Sequence, residues 1–251
     1  MIPFDITEAR DTGMFGCGTS QSGKSTLFKW LVKDLIEQGN VVYVLDTSKV
    51  WTQETPIMCV VNVPHNGKET TIMPGQSTVL DLSELSFEER FRFVNALTAN
   101  LYAWCKSFGY KKAPYTFLIY EEAQTYLPNG CMRSSRKYGS LIDLITVGAN
   151  FNIRFGLITQ FPAMVDKAPV KIAQQRYFGW TTEKNDLDYI QKFIGKEWLK
   201  EIKALRKGEF LYQCRNTITK FRCERFSARL LNAPAPTENR YSFSLNGHFV
   251  V

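Results

Sequence analysis

Four short runs of almost uninterrupted apolar residues limit what this chain can become: VVYVL at 41–45, STVLDL at 77–82, YTFLIY at 115–120 and IRFGLIT at 153–159. A strand with one wet face alternates apolar and polar residues, so runs like these predict strands covered on both faces, as in a parallel sheet. The segments between them have helical spacing. KSTLFKWLVKDLIEQG puts Leu27, Trp30, Leu31, Leu35 and Ile36 on one side and ends at Gly39, a suitable helix stop. A second helix is predicted in 83–109, opened by a Ser-x-x-Glu box at Ser86 and Glu89, and a third in RSSRKYGSLIDLITVGAN. The alternation predicts an α/β doubly wound domain. Beyond Leu205 the pattern changes: GEFLYQC and TITKFRCERF flank Arg215-Asn216 and predict an antiparallel hairpin at the sheet's edge.

Ahead of the first predicted helix stands GTSQSGKST, residues 18–26, which fits G-x-x-x-x-G-K-[S/T] without a gap. Gly18 and Gly23 let the backbone wrap phosphates, so that the amides of Thr19, Ser20, Gln21 and Ser22 form an anion nest. Lys24 is expected to reach the β- and γ-phosphates of ATP and the Ser25 hydroxyl to ligate Mg²⁺, with Thr26 starting the helix whose positive end faces the charge. The preceding strand, GMFGC, is short and glycine-rich. Hydrolysis also needs acids, and FLIYEEAQTYLP supplies two where an apolar strand ends: Glu121 for the metal's water shell and Glu122 as base. A small-molecule kinase would need no second carboxylate here. GLITQFP closes a further strand with Gln160, placed to hydrogen-bond the γ-phosphate or the attacking water.

Bulk composition narrows the classes. Hydrophobic content of 44% with 22% charged residues fits a packed domain rather than a disordered chain. No apolar run reaches the roughly 18 residues of a membrane span, and MIPFDITEAR carries acids where a signal peptide needs basic and apolar residues; a cytoplasmic protein is expected. The six cysteines contain no C-x-x-C pair and neither histidine lies near one, which argues against zinc. Cys214 and Cys223 face one another across the predicted hairpin as a minor disulfide possibility. The net charge is +7, and residues 171–230 hold 14 Lys/Arg against 7 Asp/Glu, so that stretch carries the whole excess and favours a polyanionic partner. Residues 1–231 are expected to form the ATPase domain, with NAPAPTEN a linker to a C-terminal tail.

Together GTSQSGKST (a Walker A loop), FLIYEEAQ (a Walker B strand) and GLITQFPAMVDKAP resemble the FtsK/HerA superfamily of DNA-pumping ATPases. VLDLSELSFEERFRFVNAL is similar to the segment before the second Walker motif in HerA and type IV secretion ATPases, and LRKGEFLYQC to their final edge strand. The resemblance covers residues 10–225 and implies a RecA-like P-loop NTPase fold: a mainly parallel sheet with helices on both faces and an antiparallel C-terminal edge hairpin. It also implies a homo-oligomeric ring, a hexamer or pentamer, acting on double-stranded DNA, with a capsid or replication partner. The short length suits a compact viral genome-packaging (A32-like) or plasmid type; an AAA-like or helicase-type replication ATPase is the alternative. Three departures stand out: Glu121 where aspartate is usual, Gln124 where histidine is common, and Ala149 where arginine often sits. The finger completing a neighbour's site is therefore sought among Arg133, Arg136, Arg154 and Arg176. YLPNGCMRSSR, 126–136, is a candidate DNA or subunit contact.

Overall fold

The computed structural model describes residues 2–226, apart from 56, 58, 66–69, 71 and 134, together with the two short segments 242–243 and 249–250. The linker NAPAPTEN lies outside the described residues. Of the tail, Ser242–Phe243 and Phe249–Val250 pair antiparallel with each other.

Nine strands make one sheet: β1 (Met14–Cys17), β2 (Val41–Asp46), β3 (Cys59–Asn62), β4 (Thr78–Asp81), β5 (Thr116–Tyr120), β6 (Ile153–Thr159), β7 (Gln175–Gly179), β8 (Glu209–Cys214) and β9 (Thr217–Arg222). Their order is β3-β4-β2-β5-β6-β1-β7-β8-β9. The first seven in that order run parallel, and β8 and β9 turn back antiparallel at the edge. The four apolar runs are β2, β4, β5 and β6, and the hairpin folds about Arg215-Asn216 as expected. Its register places Cys214 opposite Thr217 at the turn, while Cys223 lies past Arg222, the partner of Glu209 at the far end. The possible Cys214–Cys223 disulfide is thus corrected: both thiols are free.

Successive side chains of each strand enter different cores. Phe15, Tyr43, Leu45, Leu80, Leu118, Tyr120, Phe155 and Leu157 pack on one face, with α4 (Phe87–Ser107), α5 (Ser135–Val147) and α7 (Lys184–Ile194). Met14, Val42, Val44, Val79, Phe117, Ile119 and Ile158 pack on the other, with α1 (Ile6–Thr12) and α2 (Lys24–Glu37). The box before α4 is closed as predicted: the Ser86 hydroxyl accepts from the Glu89 amide while the Glu89 carboxylate accepts from the Ser86 amide.

Gly16 of GMFGC and Gly156 of β6 have a steric purpose. Phe28 of α2 packs over β1 and β6: a Cβ on Gly16 would stand 2.3 Å from its ring, and one on Gly156 would meet Ile119 at 2.6 Å and the Phe28 ring at 3.5 Å. Two missing side chains thus let α2 sit low over the central strands, with its N-terminus at their carboxyl ends. Gly16→Ala should therefore cost about 1–3 kcal/mol in a denaturant titration, and Phe28→Leu in the same chain should recover part of that loss.

Candidate active site

Because the central strands are parallel, their carboxyl ends share one edge, and every residue of the site is attached there. β1 runs into the loop 18–23, where Gly18, Gln21 and Gly23 have φ of 148°, 62° and 102°. Gly23 caps α2 without any side-chain hydrogen bond, so the first-turn amides are not taken by a capping side chain. The helix begins at Lys24 rather than at Thr26. Six of the nine predicted loop residues, Ser20, Gln21, Gly23, Lys24, Ser25 and Thr26, line a cavity of about 390 Å³. The other three lie behind it. Gly18 packs against Gly179, Thr19 bonds the Trp180 carbonyl through its amide (2.9 Å), and the Ser22 carbonyl accepts from the Gly208 amide (2.9 Å). The buried Lys24 ammonium donates to the Thr19 carbonyl at 2.8 Å, and burial lowers its pKa. A cation held with so little solvent is ready to pair with an anion.

The two acids lie where β5 ends, in different surroundings. Glu121 continues the strand's alternation and points to the face of α2. One of its oxygens accepts from the Ser25 hydroxyl (3.2 Å), the other from the Ser48 hydroxyl (3.0 Å). Burial first, and the neighbouring Asp46 carboxylate second, push its carboxyl up to about 8. An acid so placed is stabilised by a cation beside it, and a serine hydroxyl with a carboxylate is a hard oxygen set of the kind magnesium takes. Ser25 and Glu121 are the residues that fit Mg²⁺.

Glu122 leaves the strand in the left-handed region, φ 54°, a conformation costing a non-glycine residue about 1 kcal/mol. That turn brings its carboxylate to two amides: Gln160 donates to one oxygen and Gln124 to the other, both at 2.7 Å. Gln124 in turn accepts from the Thr159 hydroxyl at 2.7 Å. The residue at the common histidine position is thus a bridge between Glu122 and the end of β6. Glu121, Glu122 and Gln160 all line the cavity with Lys24 and Ser25.

Asp46, Ser48, Lys29 and Lys207 escaped the sequence reading. Asp46 is fully buried and accepts from the amides of Ser48, Trp51 and Thr52, which fixes the turn carrying Ser48. Lys29 reaches the Val50 carbonyl at 2.9 Å and Glu54 at 3.8 Å, pinning the same turn to α2. Asp46 had a legible signal, an acid ending an apolar strand, as Glu121 does. Lys207 had none.

The arginine candidates separate by burial. Arg154 is buried and bonded to the carbonyls of Arg10 and Asp11; Arg176 is buried and bonded to the carbonyls of Val170 and Lys171 and to Gln213. Both are corrected to structural roles, since a finger must reach out of its own subunit. Arg133 is exposed, and the Arg136 side chain lies outside the described residues. The 126–133 part of the suggested contact loop is tied to the segment after Gln160. Asn129 and Met164 share a backbone hydrogen bond of 2.8 Å, and Asp166 accepts from the amides of Gly130 (2.9 Å) and Met132 (3.4 Å).

Neither a protein-family model nor a curated protein matches the sequence. Solved structures do share the fold. The genome packaging NTPase B204 from Sulfolobus turreted icosahedral virus 2, in complex with AMPPCP, superposes with a TM-score of 0.61 at 20% identity, over 87% of this chain and 100% of that one. The plasmid coupling protein TrwB, with a GTP analogue, gives 0.66 at 9% identity, over 90% and 89%. VirB4 of Thermoanaerobacter pseudethanolicus gives 0.59 at 12%, over 86% and 90%. The chain has the P-loop NTPase fold of these proteins.

Replacing Asp166 by alanine should release the clasp on 129–132. Amide exchange at Gly130 and Met132 should quicken by about tenfold or more, while exchange in β1 and β6 stays slow.

Proposed function

We propose that the chain is a magnesium-dependent ATPase of FtsK/HerA type that translocates double-stranded DNA as a homo-oligomeric ring, in viral genome packaging. The observation that carries the hydrolytic part is the division of labour at the end of β5. Glu121 faces the Ser25 hydroxyl, Glu122 is held by Gln160, and both open on the cavity of the phosphate-binding loop.

The loop amides and the α2 N-terminus hold the phosphates, and Lys24 pairs with their charge. Ser25 and Glu121 would hold magnesium, which would supply charge neutralisation for the bound phosphates. Glu122 takes a proton from water as the water oxygen bonds to the terminal phosphorus and the bond to the ADP oxygen breaks, giving ADP and inorganic phosphate. Gln160, bonded to Glu122, orients the carboxylate toward that water. Gln124 keeps the second carboxylate oxygen from rotating away and is a positioning residue.

For the polymer, support comes from charge and from the genome-packaging and plasmid-coupling roles of proteins with the same fold. Lys196, Lys200, Lys203, Arg206, Arg222 and Arg225 are exposed on and around α8 (Leu199–Ala204) and the edge hairpin, where exposed Arg215 and Lys220 are paired with Glu8 and with Glu201 and Glu209. Such a surface binds phosphates without reading bases. An arginine from a neighbouring copy would make turnover depend on assembly, and exposed Arg133 is the described candidate.

Lys24→Ala should lower ATP turnover by about a hundredfold or more and weaken nucleotide binding. Glu122→Gln should keep ATP bound while hydrolysis falls by about a hundredfold; normal turnover in that variant removes Glu122 as base. Duplex DNA should accelerate turnover in the wild-type chain, with a native mass that is a multiple of the subunit. Lys200→Glu with Lys203→Glu should flatten the salt dependence of DNA binding by about two phosphate contacts, and an unchanged slope rejects that surface.

A further inference from the structure

The turn before β8 presents a lysine to the nucleotide cavity, and its construction leaves that lysine little else to do. Residues 206–209 form a tight turn closed by the Glu209 amide on the Arg206 carbonyl (2.9 Å). Gly208 sits third in it at φ 81°, where a Cβ would stand 3.2 Å from the Cys223 carbonyl. The Glu209 carboxylate folds back to accept from the Arg206 amide at 2.8 Å. Two further bonds fasten the turn on either side: the Gly208 amide to the Ser22 carbonyl of the phosphate-binding loop (2.9 Å), and the Cys223 amide to the Gly208 carbonyl (2.7 Å). The apex is Lys207. It is exposed, lines the cavity with Lys24 and Ser25, and among the described residues no acid pairs with it.

Sheet order decides which part of a nucleotide it meets. At the carboxyl edge the phosphate-binding loop follows β1. Glu122 and Gln160 follow β5 and β6 on one side of it, and Lys207 precedes β8 on the other, beyond β7. The chemistry at the terminal phosphoryl group belongs to the side of Glu122. We propose that Lys207 is a phosphate-binding residue, acting from the opposite side on phosphate oxygens that ADP retains. This rests on the nucleotide-binding reading above and deepens it. Because the turn hangs on the Ser22 carbonyl, the lysine moves with the loop and stays in reach before and after hydrolysis.

The test is equilibrium binding of ADP and of a β,γ-methylene ATP analogue, with magnesium present, to the full wild-type chain and to Lys207→Ala, Lys207→Arg and Lys24→Ala. Lys207→Ala should weaken both nucleotides by the same factor, about fivefold to tenfold, with a shallower salt dependence, and Lys207→Arg should recover most of it. Unchanged affinity in Lys207→Ala, beside a wild-type chain that binds and a Lys24→Ala chain that binds more weakly, overturns Lys207 alone. A loss confined to the ATP analogue overturns the assignment to retained phosphates. A wild-type chain that binds neither nucleotide overturns the ATPase reading and this proposal with it.

Discussion

The seating of α2 on β1 and β6 governs the rest of the molecule. Phe28 fills the space that Gly16 and Gly156 leave, and this close approach fixes how far the N-terminus of α2 projects past the sheet's edge. Were the helix lifted by the width of a methyl group, the Ser25 hydroxyl would draw away from Glu121, and Lys24 from the carbonyl it now meets. Packing density in an apolar core is unforgiving at that scale. The geometry of the candidate site is thus set by a hydrophobic contact on the covered face, well inside the protein.

The sheet sorts the polar groups as firmly as the apolar ones. Alternation along β5 sends Tyr120 into one core and Glu121 toward the other, so Glu121 meets α2 with no choice of side. Glu122 escapes the alternation only through its left-handed backbone, at a local conformational cost. Two adjacent carboxylates could otherwise compete for one cation. Here one is buried between two serines, with its pKa raised by burial, and the other is gripped by two glutamines. Different environments give chemically equal side chains different capacities.

Much of this was legible in the sequence, and what escaped did so for physical reasons. β2, β4, β5 and β6 announced themselves because both faces of each are apolar. β7 did not, since QRYFG carries Gln175 and Arg176. Their polar groups are satisfied inside the fold, by the backbone of Asp5 and the Tyr212 hydroxyl for one, and by two carbonyls and Gln213 for the other. β3 is a half-exposed edge strand with a weak pattern. The loop 18–26, Glu121, Glu122 and Gln160 could be read because local sequence carries them to one edge. Lys207 becomes visible only when the antiparallel return of β8 places its turn beside Ser22, a contact across 186 positions that no spacing encodes. Arg154 and Arg176 misled because formal charge says nothing of whether a guanidinium is already fully bonded.

The end of β6 ties the cavity to a surface loop. Gln160 grips Glu122, and the next residues, Phe161 and Met164, are exposed while the segment they belong to is clasped by Asp166 to 129–132. Ala163 is further fixed by its amide bond to Asp186 of α7 at 3.0 Å. Residues 161–166 are thus bonded on two sides, to the loop that carries Arg133 and to α7. In the proposed ATPase, this short bonded path is the route by which a change at Gln160 would reach the surface loop.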